Sequence, residues 1–382
     1  MRREETRMAE APLRLVQFTK SLYFGGTEGQ VVELLRGLPS SYQVQVSVLD
    51  AVGPLMEPIR AMGIVPEEFS LRGSLARPNT LRQILRMARW LERERVELVH
   101  VHDFYATMVA VPAAKLAGTK VIVGRLDLAH WHGKARRALL QGLTRMADHV
   151  VANAEAIREM LVNEEGLPAE RVTVIHNGLD VTRFDARRRE GLKSPLPDTK
   201  GAPVVVHVAN MNHPVKRQED LLRALSRVRQ KGQVLHAFLV GDGPRRPELE
   251  KLAGTLGLTD TVHFLKHRTD VPALYARADF GVLCSNAEGL SNAVMEGMAA
   301  GLPMVVTRVG GNPELVADGE RGLVVPPEQP EALAEAFLTL LADRERGRHM
   351  GQEARRFVER ELSLERMVRR HDALYQRVTR GG

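Results

Sequence analysis

Glu288 and Glu296 stand eight positions apart in the segment AEGLSNAVMEGMAAGLP, and they are the side chains best suited to chemistry in this sequence. Carboxylates at this spacing can accept hydrogen bonds from the hydroxyls of a ribose and of a sugar. They cannot themselves bind a phosphate, because like charges repel. The same spacing also occurs in a helix that carries a solvated glutamate at each end, and the residues alone leave both interpretations open.

A helix start is predicted between the two glutamates. The apolar run 280–285 predicts a short buried strand, Gly289 loosens the backbone, and Ser291 or Asn292 can cap the helix that follows. Backbone N–H groups at the start of a helix lack intrahelical partners, and the positive end of the helix dipole lies at the same point. We therefore expect the amides after Gly289, at Leu290, Ser291 and Asn292, to favour a phosphate or diphosphate.

The length and composition predict a globular protein of two domains. The chain has 382 residues, with 44% hydrophobic and 26% charged residues, and a chain of this length divides into domains of roughly 100–200 residues. No run approaches the ~20 apolar residues of a membrane-spanning helix, and the charged N-terminal segment does not resemble a signal peptide. The single cysteine, Cys284, excludes an internal disulfide and a cysteine-based metal cluster, and we interpret it as a packing residue. We expect a cytoplasmic protein.

Short apolar strands alternate with helical patterns in both halves of the chain. The strand candidates are LRLVQFT, YQVQVSVLD, VELVHVHD and KVIVGRL in the first half, and APVVVHVAN, VLHAFLVGDG, TVHFLK, DFGVLCS and LPMVVTRV in the second. This order predicts an α/β fold with two parallel, doubly wound sheets that face each other across a cleft. The polar segment 186–202 is the expected linker, so that residues 1–190 and 200–363 form the two domains.

Ligands of open α/β sheets bind beyond the carboxyl ends of the strands. In the first half, the pair at 25–26, Gly25 and Gly26, forms a turn whose amides could approach a phosphate or sugar. His100, His102 and Asp103 end a buried strand and could be metal ligands, polar contacts in the cleft or structural side chains.

Cations lie near a predicted helix start in the second half of the chain. Lys216 and Arg217 stand just before that helix. They could neutralise a diphosphate leaving group.

The net charge of +7 is concentrated partly on one predicted helix, residues 79–95. Its apolar stripe consists of Leu81, Ile84, Leu85, Ala88 and Leu91, and its arginines are Arg82, Arg86, Arg89 and Arg93. A basic amphipathic helix can rest on an anionic membrane surface, and it can equally be an ordinary solvated face.

Several blocks together resemble the retaining glycosyltransferases of the GT-B fold, in the large bacterial group called family 4. These blocks are GGTE at 25–28, HVHD at 100–103, VIHNGLD at 174–180, LVGDGP at 239–244, VHFL at 262–265 and the long stretch 278–327. The long stretch is the most specific of them. The resemblance implies two Rossmann-like domains, with the acceptor on the first and a nucleotide-diphosphate sugar on the second. It also implies that the last helix, within residues 364–382, crosses back to the first domain.

The resemblance implies roles for single residues. Glu296 would hold the ribose hydroxyls, and Glu288 would contact the transferred sugar. Lys216 would stabilise the departing phosphates, and His102 would contact the donor sugar near the reaction centre. The turn at 25–26 would close over the donor.

The sequence departs from the family where an arginine usually precedes the lysine. Residues 210–212 read Asn, Met and Asn there. Neutralisation of the phosphates would then fall to Lys216 with Arg217 or His213.

The expected reaction is transfer of a sugar, with retention, to a glycan, lipid-linked or small-molecule acceptor in the synthesis of cell-surface polysaccharide or glycolipid. The leaving phosphate would assist attack on the same face. No Asp-x-Asp motif occurs, so we expect neither a divalent metal nor a cofactor, and charge neutralisation falls to Lys216 and helix N-termini. An inverting enzyme would instead need His102 or Asp103 as a general base.

Other functions remain as alternatives. A nucleotide-sugar epimerase of related fold is the nearest. A dinucleotide-dependent oxidoreductase is disfavoured because G-x-G-x-x-G with a following acidic residue is absent. A basic nucleic-acid-binding protein would need stacking aromatics, which make up only 4% of the chain, so we expect no nucleic-acid partner.

Overall fold

The computed structural model describes residues 11–71, 78–127 and 133–380. Within these ranges the chain forms two parallel sheets covered by helices, as the alternating pattern predicted. The N-terminal segment that was compared with a signal peptide lies largely outside the described ranges, as do residues 381 and 382.

The first sheet has the order β3-β2-β1-β4-β5-β6-β7 in the described residues, with parallel pairing throughout. Its strands are β1 (Leu13–Thr19), β2 (Tyr42–Val48), β3 (Glu67–Glu68), β4 (Leu98–Val101), β5 (Lys120–Arg125), β6 (His149–Ala152) and β7 (Val172–Val174). The central strands are buried on both faces and are therefore rich in valine, leucine and isoleucine.

The second sheet has the order β10-β9-β8-β11-β12-β13, again parallel in the described residues. Its strands are β8 (Val204–Val208), β9 (His236–Val240), β10 (Val262–Phe264), β11 (Phe280–Leu283), β12 (Met304–Thr307) and β13 (Gly322–Val325). The strand order reverses between β1 and β4 in the first sheet and between β8 and β11 in the second. Ligands of such sheets bind at these reversal points, beyond the carboxyl ends of the strands.

The helices of the first half are α1 (Gly26–Gly37), α2 (Met56–Ala61), α3 (Pro78–Arg93), α4 (Phe104–Ala117), α5 (Lys134–Met146), α6 (Glu155–Glu159) and α7 (Val181–Arg189). Those of the second half are α8 (Gln218–Gln230), α9 (Arg246–Thr255), α10 (Val271–Tyr275), α11 (Asn292–Ala299), α12 (Asn312–Leu315), α13 (Pro330–Ala342), α14 (Arg344–Glu361) and α15 (Leu364–Arg380).

The predicted linker 186–202 is wrong at its beginning. Helix α7 continues to Arg189 and packs against the second domain, where Asp185 forms an ion pair with Arg355 of α14 at 2.7 Å. The run of alanine and arginine there favours a helix, and the glycines and prolines that break it begin only at Gly191. The connection without helix or strand therefore covers residues 190–203.

Helix α15 crosses back to the first domain, as the resemblance implied. The backbone forms the crossing point, because Leu179 N donates to Leu362 O at 2.8 Å and Leu364 N donates to Leu179 O at 3.0 Å. Beyond it, Leu374 and Tyr375 are buried in a cluster with residues of β1 and α1 such as Leu15 and Leu34. Residues 364–380 therefore complete the hydrophobic core of the first domain.

The apolar stripe of α3 is divided between core and surface. Ala88 and Leu91 are buried beside Met87 and Trp90, whereas Leu81 is 59% and Leu85 40% exposed. The helix is much too polar to enter a bilayer, and no helix in the described part of the chain is long and apolar enough to cross one.

Candidate active site

The loops at the two reversal points face each other across the cleft. On the second domain, the loop after β11 leads into α11, and a single helical turn at Pro214–Lys216 follows β8. On the first domain, α1 follows β1, and His102 follows β4.

Lys216 and Glu288, two of the predicted catalytic residues, form an ion pair. Lys216 Nζ lies 2.6 Å from Glu288 Oε1, and the Ser285 hydroxyl donates to the same oxygen at 2.5 Å. Ser285 is fully buried, and the side chains of Lys216 and Glu288 are 22% and 10% exposed. The site therefore holds a cation against the carboxylate at the carboxyl end of the second sheet.

The start of α11 presents free backbone donors, as predicted. Ser291 caps the helix by accepting from Val294 N at 3.4 Å, and the amides of Leu290, Ser291 and Asn292 have no acceptor among the described residues. Gly289 is required at this place, because a Cβ there would lie 2.1 Å from the Leu126 carbonyl oxygen of the opposite domain.

The backbone of the next loop lies very close to the backbone of Glu288. Gly310 has φ of +49°, and a Cβ on it would lie 1.9 Å from the Glu288 carbonyl oxygen. Only glycine fits this position, so Gly310 allows its loop to pack against the backbone of Glu288.

Glu296 lies on α11 and is half-buried, and its carboxylate has no hydrogen bond or ion pair in the described residues. Burial raises the pKa of its carboxyl to about 7, and the charge of Arg187 opposes that shift. Burying a carboxylate without a protein partner costs folding free energy unless a ligand provides a hydrogen-bond partner.

Arg217 and His213 do not join the Lys216 ion pair. The Arg217 guanidinium donates to Asp220 at 2.7 and 3.0 Å, and its backbone adopts a left-handed conformation before α8. His213 is exposed and accepts from Val215 N at 3.2 Å. Of the three cationic side chains predicted here, Lys216 is therefore the one that pairs with Glu288.

His102 is buried on the first domain and lines a cavity of about 30 Å³ together with Leu126 and Asn177. Its Nε2 lies 2.6 Å from Gln17 Oε1. Burial, with a smaller contribution from the charge of His371, lowers the pKa of His102 to about 3. His102 is therefore neutral across the physiological range.

The geometry does not support a metal site at His100, His102 and Asp103. Asp103 caps α4 by accepting from Ala106 N at 2.9 Å, and it also accepts from Lys20 N at 2.5 Å. No group of three His, Cys, Asp or Glu side chains in the described residues is arranged to hold a metal.

Family models match both halves of the chain. Residues 24–183 match "Glycosyltransferase Family 4", and residues 202–343 match "Glycosyl transferases group 1". The GDP-mannose-dependent alpha-(1-6)-phosphatidylinositol monomannoside mannosyltransferase of Mycolicibacterium smegmatis is 31% identical over 287 residues, which cover 70% of this chain and 72% of that protein. The chain belongs to the family 4, group 1 glycosyltransferases.

Other comparisons agree with this family. The N-acetyl-alpha-D-glucosaminyl L-malate synthase of Bacillus anthracis is 27% identical over 79% of this chain and 80% of its own length. The crystal structure of Anabaena HepE in complex with UDP-glucose has a TM-score of 0.82 at 22% identity and covers 95% of this chain and 100% of that one, which establishes the GT-B fold.

In this glycosyltransferase, Asn292 connects the second domain to the first. Its Nδ2 donates to Gly26 O at 3.0 Å, and its Oδ1 accepts from Asn177 at 2.7 Å and from Gln30 at 3.4 Å. Gly26 is the first residue of α1 and Gly25 its N-cap, so the predicted turn at 25–26 is a helix start. It contacts the second domain through Asn292, and its closing over a donor stays a prediction.

Glu314 makes a second connection between the domains of the glycosyltransferase. It accepts from the amides of Glu155 and Ala156 at 2.9 and 3.0 Å, at the start of α6, and from His176 at 3.1 Å. These contacts were not predicted from the sequence, although VIHNGLD, which supplies His176 and Asn177, stood out as a family block.

Proposed function

We propose that this glycosyltransferase takes a sugar from a nucleoside-diphosphate sugar on its second domain and transfers it to an acceptor hydroxyl on its first domain. The observation that carries the proposal is Glu296, a half-buried carboxylate with no partner in the described residues. It lies on the helix whose first amides are free. A diphosphate at those amides and a ribose diol at Glu296 would belong to one ligand.

Lys216 would stabilise the leaving group. Its ammonium is held at 2.6 Å from Glu288, and an ammonium at this position gains most when the negative charge on the departing diphosphate develops. Glu288 keeps Lys216 in place before the donor binds and then faces the transferred sugar.

Transfer with retention fits the side chains of the first domain. The bond from the sugar to the phosphate oxygen breaks, the acceptor oxygen bonds to the same face of the sugar, and the acceptor proton passes to the leaving phosphate. An inverting enzyme would need a base poised near neutral pH. His102, whose pKa burial lowers to about 3, and Asp103, which caps α4, are both unsuited to that role.

We further propose that transfer needs neither a divalent metal nor a cofactor, because Lys216 and the amides of α11 supply the positive potential. Activity should survive EDTA. Loss of activity that Mg²⁺ or Mn²⁺ restores would contradict this part of the proposal.

The donor can be identified by measuring which nucleotide sugar protects the protein against thermal unfolding. The relatives named above use or bind donors with different bases: HepE was crystallised with UDP-glucose, and the mycobacterial enzyme depends on GDP-mannose. A panel of UDP-, GDP- and ADP-sugars should contain one that raises the melting temperature, and Glu296→Gln should weaken its binding by roughly 1.5–3 kcal/mol.

The acceptor is proposed to be a glycan, a lipid-linked sugar or a small hydroxylated molecule in cell-surface polysaccharide or glycolipid synthesis. A peripheral position at the inner face of the membrane would bring α3 to anionic lipid. Leu81 and Leu85 are exposed among Arg82 and Arg89, and neither arginine has an ion pair in the described residues, which supports this placement.

Proton NMR of the first product formed tests the stereochemical proposal. An α-linked donor should yield an α-linked product. A β anomer would overturn the same-face mechanism and would return His102 or Asp103 as general base. Recovery of an epimerised nucleotide sugar without transfer would favour the epimerase alternative.

A further inference from the structure

Asn177 of the first domain contacts the loop that leads into α11 of the second. It follows β7, and its Nδ2 donates to Leu290 O at 3.3 Å and to Asn292 Oδ1 at 2.7 Å. No other hydrogen bond to the Leu290 carbonyl oxygen occurs in the part of the chain that the structure describes. The position of this carbonyl group is therefore set by a side chain of the opposite domain.

Backbone carbonyls fix the orientation of both side-chain amides. Asn292 Nδ2 donates to Gly26 O at 3.0 Å, so Asn292 presents its oxygen to Asn177. Asn177 in turn directs its NH₂ group at two oxygens, one of which is the Leu290 carbonyl oxygen. With either amide reversed, two oxygens would face each other without a hydrogen between them. Only one arrangement of the two amides therefore satisfies their hydrogen bonds.

The bond to the Leu290 carbonyl also orients the amide of Ser291. The two groups belong to one planar trans peptide, in which the C=O and the N–H point in opposite directions. The Ser291 N–H, which has no acceptor in the described residues, therefore points away from Asn177. The preceding peptide is held from within the second domain, because Gly311 N donates to Gly289 O at 2.8 Å.

We propose that Asn177 is a positioning residue that orients the 290–291 peptide from the opposite domain, so that the Ser291 amide is held ready for the diphosphate of the donor. The contact with the diphosphate rests on the proposed function, whereas the orientation of the peptide is a property of the protein alone. The second domain orients the Leu290 amide by itself, but the Ser291 amide needs a side chain of the first. A donor that is already fixed requires no reorganisation when a charged group arrives, so fixing it strengthens phosphate binding.

Gln30 of α1 provides a control for general loosening of the contact between the domains. It donates to the same Asn292 oxygen at 3.4 Å, and it pairs with the backbone O and N of Gly178 at 3.1 and 3.0 Å. Gln30→Ala and Asn177→Ala both remove a bond to Asn292, but only Asn177→Ala leaves the Leu290 carbonyl without a donor. If Asn177→Ala does not fold, Asn177→Asp takes its place, because a carboxylate has no hydrogen to donate.

The mobility of the Ser291 amide tests the proposal without any ligand. Relaxation of the full-length protein labelled with ¹⁵N-serine gives the order parameter of this N–H group, with its signal assigned from its loss in Ser291→Thr. We expect about 0.85, the value of rigid backbone, in the wild type and in Gln30→Ala, and a value below about 0.6 in Asn177→Ala. A mobile amide in the wild type, an unchanged value in Asn177→Ala, or an equal fall in Gln30→Ala would overturn the proposal.

Calorimetry tests the contact with phosphate separately, with inorganic pyrophosphate, UDP, GDP and ADP as probes. The probes that bind the wild type should bind Asn177→Ala about tenfold more weakly, as expected when one hydrogen-bond donor is no longer held in place. Asn79→Ala, which removes a bond of 3.1 Å to the Ser70 carbonyl within the first domain, should bind them as the wild type does. Altered mobility of Ser291 with unchanged affinity would overturn the role toward phosphate. Absence of binding of every probe to the wild type would contradict the proposed function and would leave the mobility result standing.

Discussion

In the absence of a ligand, the burial of the Glu296 carboxylate lowers the stability of the folded protein. Burial raises its carboxyl pKa from 4.5 to about 7. Ionisation therefore costs folding free energy, an effect absent below about pH 4.5 and complete above about pH 7. At 1.36 kcal/mol for each pKa unit, the cost is on the order of 3 kcal/mol.

Glu296→Gln should therefore raise the free energy of unfolding by about 1–3 kcal/mol at pH 8 and change it little at pH 5. Urea denaturation at the two pH values measures this, with the exposed Glu335→Gln as control. The same variant should bind the nucleotide more weakly. A variant that is less stable at pH 8 would show that Glu296 serves the fold instead.

Lys216→Ala should damage catalysis far more than folding. We expect kcat to fall by about 10²–10³, the usual effect of removing one donor that stabilises a transition state. The melting temperature should change little, because Ser285 still donates to Glu288. Lys231→Ala, an exposed lysine at the end of α8, is the control. Equal losses of stability and activity would mark Lys216 as structural.

At the scale of elements, helix α3 has one buried side and one side with exposed leucines and arginines. Arg86 is unsuited to a charge-reversal test, because it forms an ion pair with Glu67 and lies 4.9 Å from the centre of the Phe69 ring. Arg82 and Arg89 have no such contacts in the described residues.

Replacing Arg82 and Arg89 by glutamate should abolish co-sedimentation with anionic vesicles at low salt, since each arginine near such a surface contributes about 1 kcal/mol. Neutral vesicles should bind neither protein. A control with Lys251→Glu and Arg348→Glu makes the same change in net charge on the second domain. Binding unaffected by the α3 substitutions would make this helix an ordinary solvated face.

The sequence predicted those features of the site that depend on neighbours in the chain. The strand predicted at 280–285 is present as Phe280–Leu283. The cap at Ser291 and the free amides after Gly289 also follow from local patterns, and the structure contains them. The linker prediction is wrong at 186–189. The run of alanine and arginine there favours a helix, and packing against α14 stabilises this helix as far as Arg189.

Contacts between distant parts of the chain could not be predicted in this way. Asn177 and Asn292 are 115 residues apart, and Gln17 and Tyr375 are 358 apart, so their meeting depends on how two domains and a returning helix are arranged. The family resemblance pointed to the segments that contain several of these residues, but not to their partners.

At the scale of the whole molecule, Glu314 links the two domains. Glutamine in its place would present an NH₂ group toward one of the two amides at the start of α6, where both need an acceptor. Glu314→Gln should therefore populate an open arrangement, seen as an increased radius of gyration in small-angle X-ray scattering. Glu320→Gln, whose side chain is 63% exposed, should not change it. An unchanged radius in both would show that Glu314 does not hold the domains together.

The crossing helix also sets the order in which the domains can finish folding during synthesis. Leu364, Met367, Leu374 and Tyr375 belong to the hydrophobic cluster of the first domain, yet the ribosome makes them after the entire second domain. At 5–20 residues per second, a first domain with an open core waits roughly 10–40 s for its last helix. The part of the enzyme that is synthesised first is therefore completed last. Nascent chains arrested before residue 364 should be digested by protease within the first domain while the second resists, and chains that include residue 380 should resist in both.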